Sequence, residues 1–87
     1  LVEEHLALAE SYRKKAVEYR AEAEFHHKML ADYKKRVPKT KEAIENSYVK
    51  KMRLHCQQYI TAAEALAREA EKMAEFHTLR AKELQGK

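Results

Sequence analysis

The sequence predicts an all-α protein, an antiparallel hairpin of two long helices, and three observations support that fold class. The chain of 87 residues contains one Gly and one Pro, which are too few turn residues for a fold with many strands. Charged residues make up 37% of the chain and alanine is abundant, a composition that is typical of long helices. Apolar residues also recur every three or four positions in both halves of the chain, which is the helical period.

A single proline divides the chain into the two predicted helices of one domain, residues 1–87. Proline removes a backbone donor and disfavours a helical conformation at the residue before it, so the first helix is predicted at about 2–36. The connection is predicted at 37–40 and the second helix at about 41–84. Because the connection is so short, the two helices must run antiparallel.

The first helix carries a regular heptad pattern, in which steps of three and four residues alternate as they do in coiled coils. The inward-facing positions, which we call the seam, are Val2, His5, Ala9, Tyr12, Ala16, Tyr19, Ala23, His26, Leu30, Tyr33 and Val37. The second helix has a similar stripe that drifts around its surface. Its predicted members are Ile44, Tyr48, Met52, His55, Tyr59, Ala63, Leu66, Ala70, Met73, His77, Ala81 and Leu84.

Four of the five histidines lie on these two predicted stripes. Folding the chain about a point near residue 40 places His26 opposite His55 and His5 opposite His77. Packed helices lie about 8–10 Å apart, so imidazoles at facing positions can reach a shared ion. The fifth histidine, His27, is predicted to lie off the seam and to be exposed. The pattern therefore predicts two histidine pairs, one near each end of the hairpin.

Two histidines are an incomplete ligand set for most metals, and sulfur donors lie near the first predicted pair. Thioether and thiolate ligands favour Cu(I), whereas imidazole suits Zn(II), Cu(II) or Ni(II). The sequence therefore predicts a non-catalytic metal-binding protein, with copper or zinc favoured. Its predicted principal site is the pair of His26 and His55 together with Met52 and Cys56. The predicted metal ligands are His5, His26, Met29, Met52, His55, Cys56 and His77.

The alternative hypothesis is a structural or protein-interaction module whose histidines are hydrogen-bonded in the core. Its loop end is basic, since residues 28–53 contain nine Lys and Arg against three acidic residues, and this end could dock an acidic partner. Haem held by two histidines is the weaker cofactor hypothesis, because a seam of tyrosine and alanine gives it no clear room. The sequence contains no zinc-protease motif, no Cys-x-x-Cys and no glycine-rich phosphate loop, so no enzymatic activity is predicted.

Two helices alone bury little apolar surface, and the apolar faces of this chain extend beyond the seam. We therefore predict a homodimer that forms a four-helix bundle. No apolar run approaches the roughly 18 residues of a membrane span, so membrane insertion is not predicted. No nucleic-acid partner is predicted either, since aromatic residues are not interleaved with the basic ones. The residues that widen the apolar faces are Leu6, Leu8, Phe25, Ile60 and Phe76.

Several short motifs resemble those of a group of small exported bacterial helical-hairpin proteins that have no settled activity. They are His-Leu-Ala-Leu-Ala at 5–9, His-x-x-Met at 26–29, Met-x-x-His-Cys at 52–56 and a late histidine, His77. The resemblance covers nearly the whole chain and implies a mature periplasmic or otherwise exported protein. It points to the histidines, methionines and cysteine already named as ligands. This chain departs from the pattern in having His27 and a shorter loop that contains proline.

Overall fold

A computed structural model of the chain confirms the all-α helical hairpin. Helix α1 spans Val2–Arg36 and helix α2 spans Ser47–Gln85, and the two pack against each other in antiparallel directions. The structure describes residues 1–36 and 47–86. The predicted connection and the predicted start of the second helix lie outside the described residues. The first helix has the predicted bounds, and the second ends one residue later than predicted.

The described helix ends carry charges that suit the helix dipole. Glu3 and Glu4 lie in the first turn of α1, and Lys82 lies in the last turn of α2. Acidic groups near a helix N-terminus and basic groups near a C-terminus each stabilise a helix by about 0.3–1 kcal/mol. The backbone N–H of Gly86 donates to the carbonyl oxygen of Lys82 at 3.0 Å and so closes the last turn of α2.

The interface between the helices is made mainly of alanine. Among the described residues, the buried hydrophobic ones are Ala9, Ala16, Ala23, Ile60, Ala63, Ala67, Ala70, Ala74 and Ala81. Small side chains let two helix backbones approach closely. Each buried methyl group contributes about 0.8 kcal/mol, whereas a buried leucine or isoleucine contributes about 1.5–3 kcal/mol. The interface is therefore narrow, and its hydrophobic stabilisation is modest for its length.

The heptad predicted for α1 is confirmed over the residues whose side chains the structure describes. Alanines at the seam are buried, and the larger seam residues are half-buried because their outer atoms reach past the narrow interface. These half-buried seam residues are Val2, His5, Tyr12, Tyr19, His26 and Leu30. The sequence thus identified the inward face of α1 correctly.

The stripe predicted for α2 is wrong at three of its central positions. Tyr59, Leu66 and Met73 are exposed by 44%, 48% and 40%. The buried positions are instead one residue further along the chain, and they continue the strict alternation of three and four through the alanines. A large side chain aimed at a closely packed partner helix would force the backbones apart, so the small residues occupy the interface. The observed seam of α2 is Cys56, Ile60, Ala63, Ala67, Ala70, Ala74, His77, Ala81 and Leu84.

The seam has two flanks of different character. One flank, which we call the charged flank, is formed by Arg13, Arg20, His27, Glu64, Glu71 and Thr78. The other, which we call the apolar flank, carries Leu8, Met29, Met52, Tyr59, Leu66 and Met73, with Lys15 and Glu22 between the apolar residues of α1. All residues of the apolar flank are exposed except Met52, which is half-buried. The hairpin therefore has one polar flank and one largely apolar flank on the two sides of its interface.

Enlarging a seam alanine is expected to destabilise the hairpin, whereas enlarging a surface alanine is not. Ala16→Leu inserts three carbon atoms into the interface and should lower the free energy of unfolding by about 1–3 kcal/mol. Ala21→Leu is the matched control, since Ala21 is exposed on the same helix. Chemical denaturation followed by circular dichroism measures both. Equal effects of the two variants would contradict the alanine interface described above.

Candidate metal centre

His5 on α1 and His77 on α2 face each other across the seam, as the sequence predicted. Their Nδ1 atoms lie 2.9 Å apart, and the two rings are stacked with centroids 5.2 Å apart. This distance is that of a hydrogen bond, in which the N–H of one neutral imidazole donates to the lone pair of the other. Both side chains are half-buried. Two imidazole nitrogens from different helices therefore converge on one point.

Aromatic residues fix the position of the His77 ring. The ring of Tyr12 is stacked parallel to it, with centroids 5.9 Å apart and an angle of 6° between the ring planes. Phe76 contacts it edge-on at 5.9 Å. The ammonium group of Lys15 lies 5.3 Å from the centre of the Tyr12 ring and makes a cation–π contact. The His77 ring is thus held by ring packing from Tyr12 on α1 and Phe76 on α2.

His26 lies on the seam but its contacts differ from those of His5. Its ring lies 4.5 Å from the ring of Tyr59, and Phe25 contacts it edge-on at 5.8 Å. Its Nδ1 atom is buried and has no hydrogen-bond partner among the described residues. A buried polar atom without a partner costs about 1–3 kcal/mol, and most buried polar atoms in native proteins have one.

His55 does not lie on the seam, so its predicted place there is wrong. Its side chain is exposed, and no hydrogen bond or ring contact joins it to His26 in the described part of the chain. The residue after it, Cys56, lies on the seam instead as a half-buried free thiol. Cys56 takes the place predicted for His55 because, in this part of α2, the seam lies one residue further along the chain than the predicted stripe.

The charged flank carries a ladder of polar contacts between the helices, with one rung in each heptad. Arg13 donates to the hydroxyl oxygen of Thr78 at 2.8 Å, and Arg20 forms an ion pair with Glu71. The third rung is a contact of 3.3 Å between His27 Nε2 and Glu64 Oε1. His27 is exposed, as predicted. Successive rungs are seven residues apart on both helices, so the register of the hairpin is regular over this span.

The ion pair of the second rung shifts the titration of both its members. The hydrogen bond with Glu71 raises the pKa of Arg20, and the same bond lowers the pKa of Glu71. The stabilisation that Glu71 contributes is therefore present above the ordinary carboxylate range and is lost as the pH falls through its lowered pKa. Because both groups are exposed to solvent, this stabilisation is small and is weakened by salt.

Tyr59 and Glu22 form the corresponding contact on the opposite side of the seam. The hydroxyl of Tyr59 donates to Glu22 Oε2 at 2.6 Å, and this hydrogen bond raises the pKa of Tyr59. The bond contributes stability below the ordinary phenol range and is lost as the pH rises through the raised pKa. The contact aligns the apolar flank of α1 with that of α2, just as the ladder aligns the charged flank.

Cys56 and Tyr59 are the residues whose places sequence reasoning assigned least well. A signal for Cys56 was present, because counting back from Ala81 in alternating steps of four and three reaches Ala63, Ile60 and Cys56. The sequence prediction followed the larger apolar side chains instead. A signal for the acceptor of Tyr59 was present too, because the fold point that pairs His26 with His55 also pairs Glu22 with Tyr59.

The described residues contain no group of three or more His, Cys, Asp and Glu side chains that could hold a metal ion. The His5 and His77 pair supplies two nitrogen donors, and His26 supplies one. Methionine thioethers are a further class of donor, and Met29 and Met52 lie in the same part of the hairpin as His26. The arrangement offers two partial ligand sets near opposite ends of the helices.

Removing the acceptor of the Tyr59 hydroxyl is expected to return its titration toward that of an ordinary tyrosine. In Glu22→Gln, the pKa of Tyr59 should fall, because the carboxylate that holds its proton is gone. Tyrosinate absorbance during an alkaline titration measures the change, and Tyr59→Phe identifies the contribution of this residue. Glu18→Gln, an exposed change one turn away on α1, is the control. An unchanged titration in Glu22→Gln would show that the register described here is incorrect.

Comparison with protein-family models, curated proteins and solved structures finds no match to this chain. The resemblance to exported helical-hairpin proteins stays a prediction. Over the described residues, neither helix contains a stretch that is long and apolar enough to cross a membrane. The clearest chemical feature of the described residues is the pair of imidazoles that meet between α1 and α2.

Proposed function

We propose that this protein binds a transition metal ion without catalysing a reaction, with His5 and His77 as its imidazole ligands. The observation that carries the proposal is the distance of 2.9 Å between their Nδ1 atoms across the seam. A metal ion would take the place of the proton that the two nitrogens share. That proton would move through solvent to Nε2 of the same ring, so that each neutral imidazole offers an Nδ1 lone pair to the ion. Imidazole ligands suit zinc and copper, the two metals that the sequence favours. The principal pair thus moves from the predicted His26 and His55 to His5 and His77.

The geometry of the pair is close to that of two ligands on one ion. Two nitrogens bound to a tetrahedral zinc at about 2.0–2.1 Å lie about 3.3 Å apart. The two rings must therefore separate by about half an ångström to admit the ion. Both rings are half-buried rather than enclosed, so a movement of this size disturbs few neighbours. Tyr12, stacked on His77, limits the rotation of that ring and keeps its nitrogen directed across the seam.

We propose further that a second copy of the chain covers the apolar flank and forms a four-helix bundle. The chain exposes 7110 Å² of surface, whereas a compact monomer of its mass is expected to expose about 5,300 Å². The excess is about 1,800 Å² per chain, and obligate homodimers bury about 2,000–5,000 Å² over both chains. Leu66 and Met73, together with Phe25 and Phe76 beside the flank, supply the exposed apolar surface.

A second copy suits this surface better than an unrelated partner because both helices contribute apolar side chains to it. A two-fold axis brings such a patch against itself, which is the usual interface of a homodimer. The charged flank would stay in solvent, where its ion pairs need no desolvation. A second copy would also bring another imidazole pair into the assembly, and further donors are what the incomplete set of His5 and His77 lacks.

A helical interaction module without metal is the second candidate function. It is favoured by a specific observation, namely that some histidines already have hydrogen-bond partners within the chain. His5 and His77 satisfy each other, and His27 contacts Glu64. In this hypothesis the apolar flank is the functional surface and the imidazole pair only stabilises the hairpin. The connection at the centre of the basic loop end lies outside the described residues, so docking of an acidic partner there stays a prediction.

The metal proposal is tested by thermal unfolding with and without Zn(II), Cu(II) and Ni(II). A metal held only by the folded protein at a hundredfold excess over its dissociation constant stabilises it by about 2.7 kcal/mol, which raises the unfolding midpoint. The rise should disappear in His5→Gln/His77→Gln and persist in His27→Gln, a matched change of an exposed histidine. If no metal raises the midpoint of the native protein, the interaction module is the better account.

The dimer proposal is tested by sedimentation equilibrium of the native chain and of variants with a charge on the apolar flank. Leu66→Lys and Met73→Lys should each shift the assembly toward monomer, because a lysine at the interface would lose its hydration. Val17→Lys is the control, since Val17 is 67% exposed on the outward face of α1. A native chain that stays monomeric at all concentrations would refute the dimer, as would equal dissociation by Val17→Lys.

A further inference from the structure

The register of the hairpin gives His26 a different partner from the one that the sequence suggested. His5 and His77 occupy facing seam positions, as their contact demonstrates. Three heptads along α1 lead from His5 to His26, and three heptads back along α2 lead from His77 to Cys56. In a regular antiparallel coiled coil, equal and opposite steps preserve the facing relation. The seam position of His26 therefore faces that of Cys56, just as the position of His5 faces that of His77.

The contacts on both flanks support a constant register over this distance. On the charged flank, the rungs at Arg13, Arg20 and His27 keep the same relation to α2. On the apolar flank, the hydrogen bond between Glu22 and Tyr59 fixes the facing pair. One heptad along α1 from Glu22 is Met29, and one heptad back along α2 from Tyr59 is Met52. The two thioethers are thus facing residues beside the seam positions of His26 and Cys56.

His26 has a nitrogen atom that is free to bind a metal ion. Its Nδ1 atom is buried without a hydrogen-bond partner among the described residues, while its ring packs on Tyr59 and Phe25. The hydroxyl of Tyr59 gives its proton to Glu22, so it has no proton left to donate to the lone pair of this nitrogen. Cys56 is a half-buried free thiol, and Met52 is half-buried as well. A bound cation would satisfy the nitrogen and remove the cost of leaving it unpaired.

We infer that His26, Cys56, Met29 and Met52 form a Cu(I) site at this end of the hairpin. One imidazole, one thiol and two thioethers are a soft ligand set, and thioethers in particular select Cu(I) over Zn(II). On binding, the thiol of Cys56 releases its proton to water and the thiolate charge neutralises the ion, with no change in oxidation state. Met29 is 39% exposed, which leaves a route for the ion from solvent.

This site is separate from the imidazole pair of the proposed function, and either can exist without the other. His5 and His77 offer only nitrogen, a set that suits Zn(II) or Cu(II). The second site offers three sulfur atoms and one nitrogen from a single chain, so it does not require the dimer. The two ends of the hairpin would then differ in the hardness of the ion that they accept.

Competition with a chromophoric Cu(I) chelator, in the absence of oxygen and with a reductant, tests the inference. The native chain should take one Cu(I) at this site, and Cys56→Ser, Met29→Leu and Met52→Leu should each weaken its binding by about tenfold or more. The matched controls are Met73→Leu, which removes a thioether of the same flank, and His55→Gln, which removes the exposed histidine beside Cys56. Neither control should change the affinity. Circular dichroism establishes that each variant is folded.

X-ray absorption of the Cu(I) complex identifies the ligands directly. A copper–sulfur shell with one nitrogen neighbour supports the site, and a shell of nitrogen alone overturns it. Loss of binding in His55→Gln together with retention in Cys56→Ser would also overturn it. His5→Gln/His77→Gln should leave this Cu(I) affinity unchanged. Failure of the Zn(II) response with retained Cu(I) binding therefore rejects only the imidazole pair, and the converse result rejects only the Cu(I) site.

Discussion

Close packing of alanine on alanine sets the positions of the other side chains in this hairpin. Because Ala16, Ala63 and Ala67 fill the interface, the backbones of the two helices approach closely and no large side chain fits directly between them. Large residues next to the seam are therefore displaced to one side, where they form the apolar flank. Seam residues with flat rings are accommodated only in part, so His26 and His77 keep some exposure. A core of larger residues would have buried these rings and separated their donor atoms.

The inward face of α1 could be predicted from the sequence, because only one set of residues on that helix fits a regular heptad. The histidine pair at the open end of the hairpin followed from the same pattern. In α2, two patterns overlap one residue apart, a large one through Tyr59, Leu66 and Met73 and a small one through Ile60, Ala67 and Ala74. Hydrophobicity favours the first, whereas close approach of the backbones favours the second. The sequence of α2 does not reveal how close its partner helix lies.

Among the candidate ligands, Cys56 is the one whose position depends most on which of the two patterns forms the seam of α2. Moving the seam by one residue exchanges His55 for Cys56, which replaces a nitrogen donor with a sulfur donor opposite His26. An error of one residue in a helical pattern rotates a side chain by about 100°, which is enough to change the metal that a site prefers.

The charged flank does not by itself select the register of the helices. Sliding α2 by one heptad would set Arg20 against Glu64, again an arginine against a glutamate, so the ladder tolerates the slip. The same slip would separate Tyr59 from Glu22 on the apolar flank and His5 from His77 on the seam. Specificity of register therefore comes from hydrogen bonds among aromatic and imidazole groups, while exposed ion pairs contribute little energy. Residues that hold the register are largely those that surround the candidate ligands.

A repeated sequence at the two ends of the hairpin isolates the effect of the facing residue. Ala-Glu-Phe-His occurs at 23–26 and again at 74–77, and the structure is the same within each copy. The alanine is buried in both, and the phenylalanine contacts the histidine edge-on, at 84° in the first copy and 88° in the second. His77 nevertheless has a hydrogen-bond partner, whereas the buried nitrogen of His26 has none within the described parts of the two helices. Since local structure is shared, the difference arises from the opposite helix, which presents His5 in one case and Cys56 in the other.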